Sequence, residues 1–321
     1  MLVDGKWVDK WHPVEQTDEE GGFVRHVSSF RHWITPNGEA GPTGEGGFPA
    51  APDRYHLYVA YTCPWACRTL MVRKLKKLGS LITFSAVEPR LTDQGWRFGH
   101  YPGADHDELN GVTYLHEIYS SADPHYSGRA TVPVLWDKQR RTIVNNESTN
   151  IIRMLNHAFN ALADSDVELY PESLRQEIDT LNDLLYDNFN NGVYRAGFAT
   201  TQRVYEKAVK EVFHTLDELE KSLDGKLYLA GNVLTEADIR AFVTIVRFDV
   251  AYHGIFKCNL RRVADYPNIY KYMKRIYNLP GIKETVNFDH IKRGYYSIRD
   301  LNPNGIVPTG PIMDFNSGSL T

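Results

Sequence analysis

The sequence predicts an α/β domain followed by an all-α domain, with ordered extensions at both ends. Three observations support this prediction. Strand-like and helix-like segments alternate over residues 55–160, a short linker with a proline follows, and from residue 172 the apolar pattern is helical. The chain has 321 residues, 42% hydrophobic and 24% charged, which is ordinary for a globular protein with ample core.

Charge, apolar pattern and cysteine content indicate which partners and which cellular compartment to expect. A net charge of −4 gives no reason to expect nucleic acid or an anionic membrane. The start of the chain lacks the apolar core of a signal peptide, and no apolar run is long enough to span a bilayer. The three cysteines are too few to cross-link a chain of this size. We therefore expect a cytoplasmic protein.

Residues 1–54 form the first region, whose glycine and proline content predicts an extended segment. Its aromatic residues, among them Trp7, Phe30 and Trp33, indicate that this segment packs on a folded body.

The second region is the α/β domain at residues 55–160. Residues 88–130 mix tyrosine and tryptophan with glycine, aspartate and histidine, and this pattern predicts a long irregular insertion of functional importance. The predicted elements are strands at 56–61, 81–87, 130–137 and 143–146, a helix at 66–78 and a helix opening at 147.

The third region, residues 172–286, is predicted to be all-α and follows a linker at 160–171. Thr235 and Asp238 have the spacing of a residue pair that caps a helix start. Residues 287–321 return to glycine, proline and asparagine and are predicted to form an ordered C-terminal extension. The predicted helices are 173–188, 201–223, one from 235 and 266–277.

Cys63 is expected to be the reactive residue of the α/β domain. It lies in the turn between a predicted strand and a predicted helix, and Pro64 suits a first helical turn. Backbone N–H groups at a helix start stabilise an anion, so a thiol there ionises easily and becomes a nucleophile. Cys67, four residues further on, is expected to pack in the helix, with a redox role as the alternative, and Cys258 is expected to be structural.

Two further positions point to a peptide-like ligand. Strand, helix, strand, a Val-Pro pair, two strands and a helix are the order of a thioredoxin-like domain, in which Pro133 is expected to be cis and Val132 to offer its backbone to a peptide. Glu147 and Ser148 open a helix after a strand, which suits the carboxylate and ammonium of a γ-glutamyl group. A plain helix cap is the alternative for this pair.

Together these features resemble a cytosolic glutathione transferase and, more narrowly, the S-glutathionyl-hydroquinone reductases, also called xi-class glutathione transferases. The motifs that carry the resemblance extend from about residue 30 to about residue 311. They lie at 30–36, 41–48, 54–59, 63–66, 132–137, 190–194, 234–240, 247–249 and 302–308.

The resemblance implies reduction of S-glutathionyl-hydroquinones, with glutathione as co-substrate, no metal, and a Cys63–glutathione mixed disulfide on the way. It also implies a homodimer. From the net charge and the apolar pattern we expect neither nucleic acid nor membrane as a partner. The implied glutathione-binding residues are Trp96, Val132, Glu147 and Ser148. The residues implied to act with Cys63 on the hydroquinone are Tyr194 and Tyr295, which bond its oxygens, and Tyr252, which lines the pocket.

The chain departs from the family pattern at two positions. Cys67 stands where the pattern has histidine, next to the nucleophile. Gly294 stands where histidine precedes a tyrosine pair, which leaves Tyr295 and Tyr296 as alternatives for the residue that faces substrate. Our prediction is Tyr295.

Two other functions are compatible with the same residues. An omega-type glutathione thioltransferase or dehydroascorbate reductase shares the Cys-Pro arrangement. A non-catalytic binding module with a glutathione-transferase fold is the alternative from another class. Cys63 at a helix start argues against the module, because a scaffold does not need an ionised thiol.

Overall fold

The computed structural model describes residues 1–8, 17–25, 27–313 and 315. The predicted N-terminal segment and C-terminal extension therefore lie partly outside the described residues. The described chain divides into two compact units. The first comprises the described residues of Met1–Trp11, Val27–Val167 and Thr285–Gly294, and the second comprises those of His12–His26, Glu168–Glu284 and Tyr295–Thr321.

The described residues form six strands and nine α-helices. None of these helices combines the length and the apolar character that crossing a bilayer requires. The strands are β1 (Leu2–Val3), β2 (Lys6–Trp7), β3 (Tyr55–Val59), β4 (Ile82–Ala86), β5 (Val134–Asp137) and β6 (Thr142–Asn145). The helices are α1 (Pro64–Leu75), α2 (Leu115–Ala122), α3 (Ser148–His157), α4 (Arg175–Leu185), α5 (Gly192–Gly197), α6 (Gln202–Ser222), α7 (Glu236–Arg247), α8 (Pro267–Tyr277) and α9 (Phe288–Tyr295).

The first unit is built on a four-stranded sheet in the order β4-β3-β5-β6. Strand β3 runs parallel to β4 and antiparallel to β5, and β5 runs antiparallel to β6. Every residue of β3 is buried, as expected for an apolar strand inside a sheet. Helix α1 packs against α3. The predicted α/β domain is confirmed.

Strand directions bring four chain segments to one end of this sheet. The carboxyl ends of β3, β4 and β6 and the amino end of β5 all lie there, because β5 alone runs opposite to the other three. Four segments therefore lie at the same end of the sheet: the turn to α1, the loop after β4, the loop before β5 and the start of α3. The register pairs Val59 with Ala86, Tyr58 with Val134 and Leu135 with Asn145.

Residues 88–130 are not irregular throughout, and this part of the sequence prediction is wrong. Helix α2 lies within them and begins with a capping box. The Glu117 side chain accepts hydrogen bonds from the backbone N–H groups of Thr113 and Tyr114, at 3.0 and 2.7 Å. These bonds satisfy N–H groups at the start of the helix, and tyrosine in the capping position gives little signal in a sequence.

The second unit contains α4 to α8, so the predicted all-α domain is confirmed. Helix α7 is buried along its whole length, and the predicted cap at its start is present. Asp238 accepts hydrogen bonds from the Thr235 N–H at 2.8 Å, the Leu229 N–H at 2.9 Å and the Tyr272 hydroxyl at 2.9 Å. Burial raises the pKa of the Asp238 carboxyl. This cap fixes where α7 starts.

Two helices of the second unit continue as π-helical turns. Helix α4 runs into Tyr186–Asn190, and α7 runs into Phe248–Tyr252. Such turns widen a helix locally and are frequent at functional sites. The first leads into the short helix α5, which the sequence pattern did not predict, and the second ends at Tyr252.

Candidate active site

Cys63 occupies the position that the sequence predicts, immediately before α1. Its backbone is extended, with φ −80° and ψ 121°, and Pro64 is the first helical residue. The side chain is half-buried. Its thiol Sγ lies 3.6 Å from the carbonyl oxygen of Val132, to which the protonated thiol donates. The sulfur is therefore held between a helix start and the loop that leads into β5.

The loop before β5 contains the predicted cis bond. The peptide bond between Val132 and Pro133 is cis. Val132 is buried, at 6% exposure, and lies two residues before β5 begins. Its backbone is thus presented at the same end of the sheet as Cys63.

Glu147 and Ser148 lie at the start of α3, after the end of β6. Glu147 caps the helix, because its carboxylate accepts a hydrogen bond from the Thr149 N–H at 3.2 Å. The other carboxylate oxygen accepts from the Ser28 hydroxyl at 3.0 Å. Ser148 is buried at 3% exposure. Glu147 thus caps α3, and hydrogen bonds hold both of its carboxylate oxygens.

Trp96 follows β4 at the same end of the sheet. The Glu88 N–H donates to the carbonyl of Arg97 at 2.8 Å, which holds this loop beside the end of β4. The carbonyl of Trp96 itself accepts from the Leu115 N–H at 2.9 Å, at the start of α2. The indole is half-buried.

The three predicted tyrosines form a cluster within the second unit. The Tyr295 hydroxyl is hydrogen-bonded to the hydroxyls of Tyr194, at 2.6 Å, and Tyr252, at 2.9 Å. Tyr252 and Tyr295 are buried, whereas Tyr194 is half-buried. Burial raises the pKa of Tyr252 and Tyr295 well above the ordinary value, so both phenols stay protonated. We call these three residues the tyrosine cluster.

Tyr295, not Tyr296, belongs to the tyrosine cluster. The Tyr296 hydroxyl lies instead against Gly254, where a Cβ atom would be 2.1 Å from its oxygen. The rings of Phe256 and Phe198 pack around the cluster, with the Phe256 centroid 5.3 Å from that of Tyr194. Two apolar rings therefore pack against the tyrosine cluster.

Comparison with known proteins identifies the family to which the two domains belong. The family model of the glutathione S-transferase N-terminal domain matches residues 62–158, and that of the C-terminal domain matches residues 202–275. The chain is 52% identical over 318 residues to the glutathionyl-hydroquinone reductase YqjG of Escherichia coli K12, covering 98% of this chain and 96% of that protein. The chain belongs to the glutathione S-transferase family. Within the family it groups with the glutathionyl-hydroquinone reductases.

Other relatives support this placement. The glutathionyl-hydroquinone reductase PcpF of Sphingobium chlorophenolicum is 46% identical, covering 97% of this chain and 96% of that protein. The glutathione-bound structure of YqjG aligns with a TM-score of 0.91 at 50% identity, over 99% of this chain and 97% of that chain. The glutathione transferase Xi of Phanerochaete chrysosporium aligns with a TM-score of 0.88 at 52% identity, over 92% and 95%.

Arg68 is a residue of the cysteine site that the sequence did not single out. It lies one helical turn beyond Cys63 and is almost fully buried, at 1% exposure. Its guanidinium is 4.3 Å from the centroid of the Trp65 ring, and Nη1 donates to the Ser148 hydroxyl at 3.4 Å. Arg68 thus joins the start of α1 to the start of α3 in this glutathione transferase. The sequence signal that could have identified Arg68 is an arginine on the predicted buried face of α1.

Tyr119 of α2 is a second residue that the sequence did not single out. Its hydroxyl donates to the Thr131 carbonyl at 2.8 Å and accepts from the Thr131 N–H at 3.2 Å and from the Asn146 side-chain amide at 3.1 Å. Thr131 precedes Val132, and Asn146 precedes Glu147. Burial raises the pKa of Tyr119 to about 12. One phenol therefore joins the loops that lead to Val132 and Glu147, two of the predicted glutathione-binding residues.

Residues 285–294, which follow both family-model regions, pack on the cysteine site within the first unit. The Thr62 hydroxyl lies 2.9 Å from the carbonyl of His290 and 3.2 Å from that of Pro89. Gly294 approaches the same residue so closely that a Cβ atom would be 2.3 Å from the Thr62 methyl carbon. The backbone at Gly294 therefore leaves no room for a side chain in this structure.

Cys67, the other departure from the family pattern, faces the same segment. It is fully buried, and its Sγ lies 3.4 Å from the Thr285 carbonyl. This contact agrees with the packing role expected from the sequence. Cys258 is also fully buried, and burial raises its pKa to about 12, which agrees with a structural role.

Proposed function

We propose that this protein reduces S-glutathionyl-hydroquinones to hydroquinones, with glutathione as the reductant. The observation that carries the proposal is a half-buried cysteine at the start of α1, beside a cis-proline loop, in a chain 52% identical over nearly its full length to a glutathionyl-hydroquinone reductase. The cysteine supplies the nucleophile that thiol–disulfide chemistry requires.

In this proposal glutathione binds along the end of the sheet where Cys63 lies. The backbone of Val132 pairs with the tripeptide as an added strand does. Ser148 and the N–H groups at the start of α3 hold the γ-glutamyl carboxylate, and Glu147 holds its ammonium. Trp96 covers the bound molecule from the loop after β4. No metal takes part in the proposed reaction.

The first proposed step transfers the glutathionyl group to the enzyme. The substrate ring tautomerises to a keto form, which protonates the ring carbon that bears sulfur. The Cys63 thiolate then attacks that sulfur and forms an S–S bond. The C–S bond breaks, its electron pair passes through the ring to the carbonyl oxygen, and this oxygen then takes up a proton. The hydroquinone leaves, and Cys63 remains in a mixed disulfide with glutathione.

The second proposed step restores the enzyme. The thiolate of a second glutathione attacks the glutathionyl sulfur of the mixed disulfide and releases oxidised glutathione. The electron pair of the broken S–S bond returns to Cys63 as its thiolate. Backbone N–H groups at the start of α1 favour this anion, so the same helix end assists both steps.

The proposed role of Tyr194 and Tyr295 is to donate hydrogen bonds to the hydroquinone oxygens, which replace the hydrogen bond between the two hydroxyls when substrate binds. Both steps of the first half-reaction, tautomerisation and C–S cleavage, change the charge on those oxygens, and fixed donors lower the cost of that change. Tyr295 stays protonated because of its burial, which keeps it a donor. Tyr252, fully buried behind it, holds the Tyr295 hydroxyl in place at 2.9 Å.

The decisive experiment incubates the protein with a glutathionyl-hydroquinone and no free glutathione. We expect one glutathionyl group on Cys63 by mass spectrometry and release of one equivalent of hydroquinone. Cys63→Ser is expected to fold, to bind glutathione and to release no hydroquinone. Turnover by Cys63→Ser, or turnover of wild type without an adduct, would contradict the covalent step.

A comparison of substrates distinguishes the proposed reductase from the omega-type thioltransferase or dehydroascorbate reductase. A relative from Schizosaccharomyces pombe, 47% identical over 94% of this chain, is named glutathione S-transferase omega-like 2. We expect a much higher kcat/KM with glutathionyl-hydroquinone than with dehydroascorbate or the mixed disulfide of hydroxyethyl disulfide. The reverse order would make the protein a thioltransferase.

Two further expectations concern assembly and location. We propose a homodimer, which size-exclusion chromatography with light scattering will test against a monomer of 36.7 kDa. We also propose a cytoplasmic location, which cell fractionation of the native host will test.

A further inference from the structure

Residues 17–25 lie outside both family-model regions, yet they pack on α5, which carries Tyr194 of the tyrosine cluster, and on the start of α6. We call residues 17–25 the N-terminal strap. It is anchored at the start of α6, where the Thr200 N–H donates to the Gly21 carbonyl at 3.1 Å and the Thr201 hydroxyl donates to the Glu20 carbonyl at 3.1 Å. An ion pair between Arg203 and Glu20, at 3.2 Å, adds to these bonds. The strap therefore has a fixed position in the second unit.

The strap places an aromatic ring and a cation on the tyrosine cluster. The ring of Phe23 lies 5.4 Å from that of Phe198 and 6.4 Å from that of Tyr194, measured between centroids. The guanidinium carbon of Arg25 lies 4.9 Å from the centroid of Tyr194. This distance is that of a cation–π contact.

Arg25 is oriented by a residue at the base of α5. Its Nε donates to the Asn191 side-chain oxygen at 2.6 Å, and Asn191 is buried at 8% exposure. Asn191 also accepts, at its backbone carbonyl, the Arg195 N–H at 2.8 Å, so it belongs to the first turn of the helix that carries Tyr194. The planar guanidinium keeps one orientation over the Tyr194 ring because its Nε is fixed.

We propose that Arg25 is a positioning residue for the first half-reaction. Arg25 acts through Tyr194 to favour negative charge on the hydroquinone oxygen as the C–S bond breaks. The inference rests on the proposed function, because it takes Tyr194 as a donor to that oxygen. An arginine is always charged, and a fixed cation beside a phenol donor makes that donor more effective towards a developing anion.

The proposal predicts a dependence on the hydroquinone that leaves. Electron-withdrawing chlorine substituents stabilise a hydroquinone oxyanion without help from the enzyme, whereas methyl substituents do not. Conjugates of methylated hydroquinones therefore need Arg25 more than conjugates of chlorinated ones. A residue that only holds the strap in place would affect the whole series by the same factor.

The experiment measures kcat and KM for wild type, Arg25→Gln and Arg25→Lys with glutathionyl conjugates of methylated, unsubstituted and chlorinated hydroquinone. For Arg25→Gln we expect kcat to fall about tenfold with the methylated conjugate and about two- to threefold with the chlorinated one. KM for glutathione should stay unchanged. Arg25→Lys keeps the charge and should recover most of kcat.

Arg203→Gln is the matched control, because it removes an arginine that anchors the same strap through Glu20. We expect this variant to behave as wild type across the series. An equal loss in kcat for all conjugates in Arg25→Gln, or an equal loss in Arg203→Gln, would overturn the inference and leave a structural strap. Wild type without activity on any conjugate would instead refute the proposed function.

Discussion

The hydroxyl of Tyr119 offers the sharpest test of how the glutathione site is held together. Tyr119→Phe removes one oxygen and keeps the buried ring. In the wild type this oxygen bonds to the Thr131 carbonyl, the Thr131 N–H and the Asn146 amide, at 2.8, 3.2 and 3.1 Å. The change therefore leaves three polar groups without this partner, in the two segments that precede Val132 and Glu147.

The expected cost follows from the burial of those groups. A buried polar group that loses its partner costs about 1–3 kcal/mol. Asn146 is buried at 5% exposure, whereas Thr131 is half-buried and water replaces part of its loss. We expect the free energy of unfolding to fall by about 3 kcal/mol, the low end of the sum over the three groups. Loosening of the two segments should raise the KM for glutathione about tenfold, which corresponds to about 1.4 kcal/mol.

The control is Tyr126→Phe. The two tyrosine rings pack together, with centroids 5.1 Å apart, and Tyr126 is also buried. Its hydroxyl, however, bonds to the Arg129 carbonyl at 3.0 Å and the Ser29 hydroxyl at 3.1 Å. We expect Tyr126→Phe to lose stability and to keep the wild-type KM for glutathione.

The assay is steady-state reduction of a glutathionyl-hydroquinone at varied glutathione, together with thermal unfolding of each variant. Reduction of the isolated Cys63 mixed disulfide by glutathione gives the second half-reaction directly. If both variants lower the melting temperature equally and neither changes the KM for glutathione, Tyr119 has only a structural role and the reasoning fails.

Three other outcomes test the surroundings of the nucleophile. Thr62→Val should lower kcat about tenfold and slow alkylation of Cys63 by iodoacetamide, whereas Thr62→Ser, which keeps the hydroxyl that bridges two backbone carbonyls, should retain most activity. Gly294→Ala should destabilise the protein by about 1–3 kcal/mol and lower kcat, measured by thermal unfolding and turnover, because the added Cβ would be 2.3 Å from Thr62. Iodoacetamide at pH 8 should modify Cys63 of the native protein and should not modify Cys67 and Cys258, which are fully buried. Peptide mapping measures which cysteines are labelled. Labelling of either buried cysteine would contradict the structure.

Features set by neighbouring residues were predictable from the sequence. The turn between β3 and α1, the helix start at Pro64 and the cap formed by Thr235 and Asp238 all depend on residues within a few positions of one another. The cis bond at Pro133 was predictable once the order of strands and helices was known. Local chemistry was sufficient because each of these features depends on the conformational preferences of a few adjacent residues.

One local signal was available but did not enter the prediction. Asp4 and Gly5 form the turn of the β1–β2 hairpin, with φ of 47° and 70°. Asp-Gly is a preferred pair for a two-residue turn that needs positive φ at both positions. The hairpin is only two residues long on each side, so its strands carry almost no alternating pattern.

Features set by distant residues were not predictable. Tyr119 bonds to Thr131 and Asn146, 12 and 27 positions away, and the Thr62 hydroxyl meets the His290 carbonyl 228 positions away. Neither residue belongs to a sequence motif. Without a motif, a tyrosine or threonine is interpreted by default as a packing residue. Only the fold shows that their hydroxyls join separate segments.

The surroundings of Cys63 show why those distant contacts matter for the chemistry. Helix α1 supplies the favourable N–H groups, but the position of the sulfur also depends on the turn before it. That turn is fixed by Thr62, whose hydroxyl reaches the carbonyl of His290, and by Gly294, whose backbone packs against it. Both contacts come from residues 285–294, which lie beyond the last residue matched by the family models. The reactivity of a cysteine in the first fifth of the chain is therefore expected to depend on a segment from its last eighth. Substitutions there should change thiol reactivity before they change the fold.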